Sequence, residues 1–596
     1  MHTIVTEYSA WNPGLESELP REYLPLATVF RPENVATSIA KAFELSEYCG
    51  LPAHELVAFR PERLMVHELL IRVTTEVSVP DGRDYEDLGR NFREIAATIL
   101  KRDLAPRQAE IVQVFERLKA DAAVKIESEL SRALAGPADR AERTPRRGWR
   151  RLFGRKGASK RSAPSTEAPA DRDRRLATEW RRKSAAAIHG LDEACFDALS
   201  KIATGVMSRR GRLVGDQTLI TELAVTLVCN GYGSEVIGDA IAPYFQEAVV
   251  REGYRILPQQ QRPVVMNVKG ASASGKSSMR PLQKKLAGKL HLPWDEFALI
   301  SPDIWRKFFL DYGSLGVAYK YAGMLSGHEL EIVDKKLDRR MAARSARGEM
   351  SHLLIDRFRF DSFEPELEGK GSTKLLTRFG NLIYMFYMIT PPEATVERAW
   401  IRGLKVGRYK AVDDLLAHNV EAYTGMPELF FTWALSVRQR VHYEFLDNSV
   451  PEGEPPRTVA FGWNGEMTIF DIKRMLDIER FRKINIGAQR PEEVYVGDNL
   501  APEQNVDFLK RCARWIPVIN FADDESGHVY ARLERGKWAW RDEARWAEKL
   551  KNADARAGLM AVAPKTYDAK AARPPKTMDV AHEQAHTLGT WGESAV

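Results

Sequence analysis

The chain has 596 residues, of which 44% are hydrophobic and 29% charged, so its composition is that of a soluble globular protein with several domains. Its formal net charge of +6 excludes a protein that binds polyanions through overall charge alone. The four cysteines lie far apart, without a CxxC pair or a Cys/His cluster, which argues against a zinc site and against a disulfide framework.

No segment of the sequence predicts membrane insertion or a cleavable signal. The N-terminal residues lack the charged-then-apolar pattern of a signal peptide. The most apolar stretch, 382–389, has only the length of a strand. Since widely spaced cysteines also suit a reducing compartment, we predict a cytoplasmic protein without a transmembrane segment. Export by a route that needs no cleavable signal is left open.

Residues 1–135 predict an α-helical accessory domain. Apolar residues recur at three- and four-residue spacing over 64–74, 92–100 and 109–134. The region carries no catalytic constellation, so we interpret it as a structural module. The alternative is a module whose helices recognise a protein partner or a substrate.

Residues 136–183 predict a basic, disordered linker. The stretch 140–161 holds ten Lys/Arg residues against one acidic residue, Glu142. Trp149 and Phe153 interrupt the arginines, and this mixture is also typical of segments that touch an anionic surface or nucleic acid. A solvated linker is the simpler interpretation, and weak contact with such a surface is the alternative.

Residues 184–255 return to a helical pattern, over 186–208, 218–229 and 236–250. Two arrangements are open for them. They predict a helical region packed on the domain that follows. The alternative is that they form one unit with the N-terminal helices, with the linker as an insertion between the two halves.

Residues 256–478 predict an α/β domain, because short apolar runs alternate with helical stretches, as in a parallel sheet with crossover helices. The strands are predicted at 264–268, 297–300, 353–356, 382–389, 441–447 and 458–462. Residues 479–562 predict a mixed C-terminal extension, ordered by its many aromatic residues. Residues 563–596, rich in Ala, Pro, Lys and Thr, predict a flexible tail.

The segment 270–277 fits the pattern GxxxxGK(S/T) between a predicted strand and a predicted helix. This context predicts a phosphate-binding loop, in which Lys276 neutralises the β- and γ-phosphates and Ser277 ligates Mg²⁺. The predicted ligands are ATP, or another purine triphosphate, and Mg²⁺. The fold class is therefore α/β, a P-loop NTPase-type parallel sheet flanked by helices, with an additional helical N-terminal region. The predicted nucleotide-binding residues are Gly270, Ala271, Ser272, Ala273, Ser274, Gly275, Lys276, Ser277 and Ser278.

Ligands in open sheets lie beyond the carboxyl ends of the strands, so the residues there are candidates for chemistry. Asp303 follows the second strand, where a carboxylate could accept a proton from an acceptor hydroxyl or hold Mg²⁺ through water. Arg306, one helical turn on, is a candidate substrate-binding residue. The alternative for Asp303 is a helix cap after Pro302.

After the third strand, Asp356 is the candidate carboxylate that faces substrate or metal. The arginine that follows it, Arg357, is expected to pair with Asp361 or Glu364 in a surface network.

A helix–loop unit rich in arginine follows the fourth strand, with Arg398, Arg402 and Arg408. Planar guanidinium groups stabilise the charge that develops on equatorial phosphoryl oxygens, and we select Arg402 and Arg408 for this role. Gly403 and Gly407 are expected to permit a closing motion of the unit over bound nucleotide.

Taken together, these segments resemble the zeta-toxin-like P-loop kinases. The resemblance rests on the phosphate loop, Asp-Ile-Trp-Arg at 303–306, the arginine unit and Phe-Leu-Asp-Asn-Ser at 445–449, and it is confined to 262–478. It implies that Asp303 deprotonates the acceptor and that the arginines contact ATP phosphates. It also implies UDP-N-acetylglucosamine, a UDP-linked amino sugar, as the acceptor. One departure is Asp-Arg-Phe at 356–358, where the family often has Glu-Gly-Thr.

The sequence thus predicts an ATP- and Mg²⁺-dependent kinase that transfers the γ-phosphate to a hydroxyl of a small acceptor, with Lys276, Asp303, Arg402 and Arg408 as catalytic residues. Two alternatives stay open. The chain could be a nucleotide-regulated interaction protein with slow ATP hydrolysis as its switch. It could also be a polynucleotide 5′-kinase, which the basic linker suggests.

Overall fold

The computed structural model describes residues 8–84, 86–134, 168–357, 376–562, 574–575 and 577–592. Two compact units divide the chain. One, here called the helical unit, comprises Pro25–Leu70 and Ala97–Arg251. The other, here called the sheet unit, comprises Met1–Leu24, Ile71–Ala96 and Glu252–Val596.

The helical unit joins helices from both sides of the predicted linker, which is the second of the two arrangements considered above. The linker is also shorter than predicted at its C-terminal end, because Pro169–Ala186 is a helix. The basic stretch 140–161 lies outside the described residues. The helices that contribute to this unit are α1 (Ile39–Cys49), α2 (Pro61–Glu76), α3 (Asp87–Ile99), α4 (Gln108–Leu134), α5 (Pro169–Ala186), α6 (Leu191–Arg210), α7 (Gln217–Val228) and α8 (Ser234–Glu252).

Residues of α2 and α3 belong to both units. All helices that follow α8 belong to the sheet unit. None of the helices in the described part of the chain combines the length and the apolar character that a membrane-spanning helix needs. The helices of the sheet unit are α9 (Arg280–Lys289), α10 (Arg306–Phe309), α11 (Ala322–Leu325), α12 (Gly327–Ala346), α13 (Pro392–Val406), α14 (Val412–Ala434), α15 (Ile472–Phe481), α16 (Asp507–Trp515), α17 (Glu543–Lys549), α18 (Ala553–Val562) and α19 (Val580–Gln584).

The sheet unit is built on one ten-stranded sheet, so the α/β class is confirmed. All six predicted strands are present as β1–β6, with ends within one residue of those predicted. The strands are β1 (Val264–Lys269), β2 (Phe297–Ile300), β3 (His352–Asp356), β4 (Leu382–Ile389), β5 (Arg440–Asp447), β6 (Arg457–Trp463), β7 (Glu466–Ile469), β8 (Val518–Ala522), β9 (Val529–Glu534) and β10 (Lys537–Arg541).

The order across the sheet is β10-β9-β8-β7-β6-β5-β4-β1-β3-β2. Five neighbouring strands are parallel to one another, in the order β2, β3, β1, β4 and β5. The next strand, β6, is antiparallel to β5, contrary to the all-parallel prediction. The predicted C-terminal extension supplies β8, β9 and β10 to the same sheet rather than forming a separate element. The central strands are almost wholly buried, which explains their continuous apolar sequences.

The chain reverses direction across the sheet between β1 and β4, which are neighbours. From β1 it passes to β2 at one edge, whereas from β4 it passes to β5 on the other side. The connections that follow these two strands therefore leave in opposite directions and open a crevice at their carboxyl ends. Such a switch point is where open α/β sheets bind ligands.

The C-terminal residues 577–592 are packed on the sheet, unlike the flexible tail predicted for 563–596. Trp591 is buried in a cluster with Phe461, Phe470 and Val529. Thr590 donates its backbone N–H to Pro456 O at 2.8 Å. Aromatic burial of this kind outweighs the loop-like composition of the segment.

Glu444 on β5 anchors this segment and should make its docking depend on pH. The fully buried carboxylate accepts backbone N–H groups of Leu588 at 2.7 Å and Gly589 at 3.0 Å, and the Thr458 hydroxyl at 2.7 Å. Burial raises the pKa of Glu444 to about 7, although these hydrogen bonds oppose the shift. Because the folded state favours the protonated carboxyl group, Glu444 stabilises the docked segment fully below pH 4.5. This stabilisation is lost as pH rises through about 7.

We therefore expect the free energy of opening at Leu588 and Gly589 to fall by on the order of 3 kcal/mol between pH 4.5 and 8. Hydrogen exchange of these two amides, corrected for the intrinsic exchange rate at each pH, measures this free energy of opening. In Glu444→Gln the pH dependence should disappear, whereas Glu454→Gln, an exposed control, should keep it. An unchanged slope in Glu444→Gln would contradict the assignment.

Candidate active site

The glycine-rich loop, residues 270–277, leaves β1 and leads through a 3₁₀ turn, Lys276–Met279, into α9. Gly275 has φ 94°, a conformation that favours glycine, and a Cβ there would lie 2.3 Å from Asn448 Nδ2. At Gly270 a Cβ would lie 2.8 Å from the Met388 side chain. Both glycines of the motif are therefore required by the way the loop curls and packs.

Lys276 folds back over this loop. Its Nζ donates to the carbonyl oxygens of Gly270 at 3.0 Å and Ala271 at 2.7 Å. Burial lowers the pKa of Lys276 to about 8, against the opposing influence of Asp356 and Asp303. The ammonium group thus lies between the loop and the two predicted carboxylates.

Ser277 and Asp356 bring a hydroxyl and a carboxylate together beside the loop. Asp356 is the last residue of β3, which pairs in parallel with β1 and sets Val268 opposite it. The Ser277 hydroxyl donates to Asp356 Oδ2 at 2.5 Å, although 79 residues separate the two in sequence. Hydroxyl and carboxylate oxygens are ligands that Mg²⁺ prefers, so this pair fits a magnesium ion.

Arg357 holds the end of β3 in place and does not extend the site. Its Nε donates to Asp334 at 2.9 Å and its Nη1 to Asp338 at 2.8 Å, both on α12. The predicted partners Asp361 and Glu364 lie outside the described residues. Buried pairing of this arginine fixes where Asp356 projects.

Asp303 lies in the 3₁₀ turn Pro302–Trp305, just after β2, and its side chain does not cap that turn. Arg306 Nε donates to Asp303 Oδ1 at 2.8 Å, and Arg408 Nη2 contacts the other carboxylate oxygen. Burial alone would raise the pKa of Asp303, but the Arg408 and Arg306 guanidinium groups hold it well below its usual range. The carboxylate is therefore ionised and oriented by two arginines.

Arg306 is thus engaged within the protein. Besides Asp303 it donates to Gly323 O at 2.6 Å and to the Ser326 hydroxyl at 3.2 Å. The geometry suits an orienting role for Arg306 next to the predicted base more closely than the predicted direct contact with substrate.

The arginine unit consists of α13 and the turn that follows it. Arg402 Nε donates to the backbone oxygen of Arg408 at 3.3 Å, so the Arg402 side chain is tied to the turn that carries Arg408. Gly407 ends α13 with φ 75°, and a Cβ there would lie 2.2 Å from the Tyr319 hydroxyl. A Cβ at Gly403 would lie 2.4 Å from the Tyr409 ring. Helix termination and close packing therefore account for these glycines, and the closing motion stays a prediction.

Arg398 is separate from this pair. Its Nη2 donates to the backbone oxygens of Asn448 at 2.8 Å and Val450 at 3.1 Å. It ties α13 to the segment after β5.

Two further residues shape the glycine-rich loop, and the sequence prediction did not include them as site residues. Thr390 Oγ1 donates to Ser274 O at 3.1 Å, and Asn448 Nδ2 donates to the same oxygen at 2.8 Å. Both follow a strand directly, one after β4 and one after β5. The same strand-end rule that selected Asp303 would have found them.

The N-terminal residues also reach the site, although they were predicted to belong to the accessory domain. Ala10 is buried in an apolar cluster with Val396 and Ala399 of α13, and Ala273 of the glycine-rich loop packs against the same cluster. Trp11 Nε1 donates to Glu397 Oε1 at 3.0 Å. This segment supports both the loop and the arginine unit.

The predicted residues thus converge on the carboxyl ends of β1, β2 and β3, next to the turn after α13. Electrostatic coupling links Lys276 to Asp303, Asp356, Arg402 and Arg408. The result is a pocket in which cations surround two carboxylates beside a curled backbone loop. Comparison of the chain with protein-family models, curated proteins and solved structures finds no match.

Proposed function

We propose that the chain is an ATP- and Mg²⁺-dependent phosphotransferase of the zeta-toxin-like type, with a P-loop NTPase-type sheet unit. The observation that carries this proposal is the convergence of Lys276, the Ser277–Asp356 pair and the Asp303–Arg408 pair at one edge of the sheet. Phosphoryl transfer requires a phosphate cradle, a metal site, an acceptor-side carboxylate and arginines, and these groups supply all four.

The nucleotide, ATP or another purine triphosphate, would bind in the crevice between β1 and β4. Backbone N–H groups of the glycine-rich loop and the start of α9 would face its phosphates. Lys276 would exchange its carbonyl contacts for β- and γ-phosphate oxygens, which are stronger acceptors because they are charged.

The Ser277 hydroxyl and Asp356 would hold Mg²⁺. The ion, when bound, neutralises charge on the β- and γ-phosphate oxygens. Since β1 and β3 are parallel neighbours, their ends keep the two side chains together. Asp356 is thereby assigned to the metal rather than to the acceptor.

In the transfer step an acceptor hydroxyl oxygen bonds to the γ-phosphorus while the bond from that phosphorus to the bridging oxygen breaks, and ADP leaves with that electron pair. The hydroxyl proton passes to the Asp303 carboxylate. Arg306 orients this carboxylate, and Arg402 and Arg408 stabilise charge on the transferring group.

The acceptor is a small molecule with a hydroxyl group, and the family resemblance favours a UDP-amino sugar such as UDP-N-acetylglucosamine. The test is an assay with γ-labelled ATP against sugar nucleotides, nucleosides and oligonucleotides, with Lys276→Ala as the blank. Label transfer to a sugar nucleotide supports the proposal. Transfer only to oligonucleotide 5′ ends would favour a polynucleotide kinase, and slow phosphate release without any labelled acceptor would favour a nucleotide-regulated interaction protein.

A further inference from the structure

Lys410 lies two residues beyond Arg408, just before α14, and none of the roles above uses it. Its side chain is 17% exposed. The Nζ atom is 3.3 Å from Asp414 Oδ2 and contacts the His418 ring, with Nε2 at 3.1 Å. Asp414 and His418 are one helical turn apart on α14, and His418 Nε2 is 3.4 Å from Asp414 Oδ1. The lysine is therefore held in a defined position by two side chains.

This position belongs to the candidate active site. Arg402 and Arg306 act electrostatically on Lys410, and Lys276 acts on His418. Burial, with Lys410 and Lys276 nearby, lowers the pKa of His418 to about 3, so the ring is neutral and accepts from the ammonium group. The first turn of α14 also packs in the same apolar cluster as Ala273 of the glycine-rich loop. Lys410 therefore lies beside that loop and the arginine unit.

Cations outnumber carboxylates among the described groups that these electrostatic interactions link. The cationic side chains are Lys276, Arg306, Arg402, Arg408 and Lys410, and the acidic ones are Asp303, Asp356 and Asp414. Burial lowers the pKa of Lys410 to about 8, with Asp414 opposing this shift and Arg402 and Arg306 adding to it. A pocket with this balance of charge favours a polyanion.

We propose that Lys410, positioned by Asp414 and His418, is a further polyphosphate-binding residue that contacts the phosphate chain of the nucleotide. The assignment rests on the proposed function. A polyanion next to Lys410 raises the proton affinity of this lysine, so polyanion binding near pH 8 is coupled to proton uptake. At that pH Lys410 takes up about half a proton.

The experiment is isothermal titration calorimetry with MgATP at pH 8, in two buffers of different ionisation enthalpy. We compare wild type with Lys410→Met, Lys410→Arg and the control Lys405→Met, an exposed lysine at the end of α13. In Lys410→Met the affinity should fall about tenfold, since a contact between charged groups is lost, and proton uptake should fall by about half a proton. Lys405→Met should match wild type in both.

Lys410→Arg separates a binding role from a merely structural one. Arginine keeps the charge but does not titrate near pH 8, so this variant should retain most of the affinity and still take up about half a proton less than wild type. Wild-type affinity and wild-type uptake in Lys410→Met would overturn the assignment and leave the kinase proposal intact.

A failure of the proposed function would look different. If MgATP does not bind to wild type, the kinase proposal is wrong. The titrations of wild type and Lys410→Met are then repeated with tripolyphosphate in place of MgATP. Weaker tripolyphosphate binding by Lys410→Met than by wild type would still support a polyphosphate-binding Lys410. Equal binding, or no binding to either protein, would overturn it.

Discussion

Replacing Asp303 with asparagine is expected to lower the rate of phosphoryl transfer by about 10²- to 10⁴-fold while MgATP binding is retained. Asparagine has nearly the same shape and can still accept a hydrogen bond from Arg306, but it cannot take the proton of the acceptor hydroxyl. Because the change removes a negative charge near Lys276, affinity for MgATP should be equal or higher.

Single-turnover transfer from γ-labelled ATP, together with a separate titration of MgATP binding, measures the two effects independently. Asp311→Asn is the matched control, since Asp311 is exposed and its side chain accepts only from the backbone N–H of Gly313 among the contacts described. Full transfer by Asp303→Asn would remove the base assignment. Loss of MgATP binding in this variant would show that Asp303 holds the pocket together instead.

The pH profile provides a further check on Asp303. Its pKa lies well below its usual range because Arg408 and Arg306 outweigh the effect of burial. The carboxylate is consequently ionised throughout the mildly acidic range, and a decline in rate between pH 7 and 5 should not depend on it. In Asp303→Asn the remaining activity should keep the same acid limb.

Replacing Arg408 with alanine should lower kcat about 10³-fold, the lower end of what an arginine contributes in phosphoryl transfer. Arg408 is the best-placed arginine for this role because it contacts Asp303 while its backbone oxygen accepts from Arg402. Arg408→Lys should recover only part of the rate, since an ammonium group is a point charge and not a planar fork.

The division between kcat and KM decides between transition-state stabilisation and simple binding. A rise in KM for ATP with unchanged kcat in Arg408→Ala would contradict a role in transfer. Arg438→Ala, a change at an exposed arginine between α14 and β5, should match wild type. In the double variant with Asp303→Asn, the two losses should be strongly non-additive, because the residues contact each other.

The strands and the glycine-rich loop were predictable because their signals are local. A strand that is buried on both faces, such as β4 (Leu382–Ile389), needs apolar side chains at consecutive positions. Such a continuous apolar run can be recognised in the sequence. The pattern at 270–277 likewise reflects backbone geometry, since Gly275 has positive φ and Gly270 packs closely. Helical spacing located α2, α4, α7 and α8 for the same reason.

Other elements carried weaker signals. The strand β7 (Glu466–Ile469) has only four residues and lies in sequence directly after β6, so nothing local marks it as a separate strand. The packing of Trp591 on Phe461 depends on residues far apart in sequence, and the composition around Trp591 indicated a loose tail. Composition indicates the conformation that a segment favours in isolation, whereas its burial depends on the residues that pack against it.

The sequence by itself therefore determined the strands β1–β6, the helices α2, α4, α7 and α8, the curl of the loop at 270–277 and the residue types available for chemistry. Only the tertiary structure decided that Asp303 meets Arg408 across 105 residues, that Ser277 meets Asp356, and that Lys410 joins the pocket. Local conformation follows from neighbouring residues, but the partners of a charged side chain are set by strand order and helix packing. Those depend on free energies summed over the whole core, which no short stretch of sequence contains.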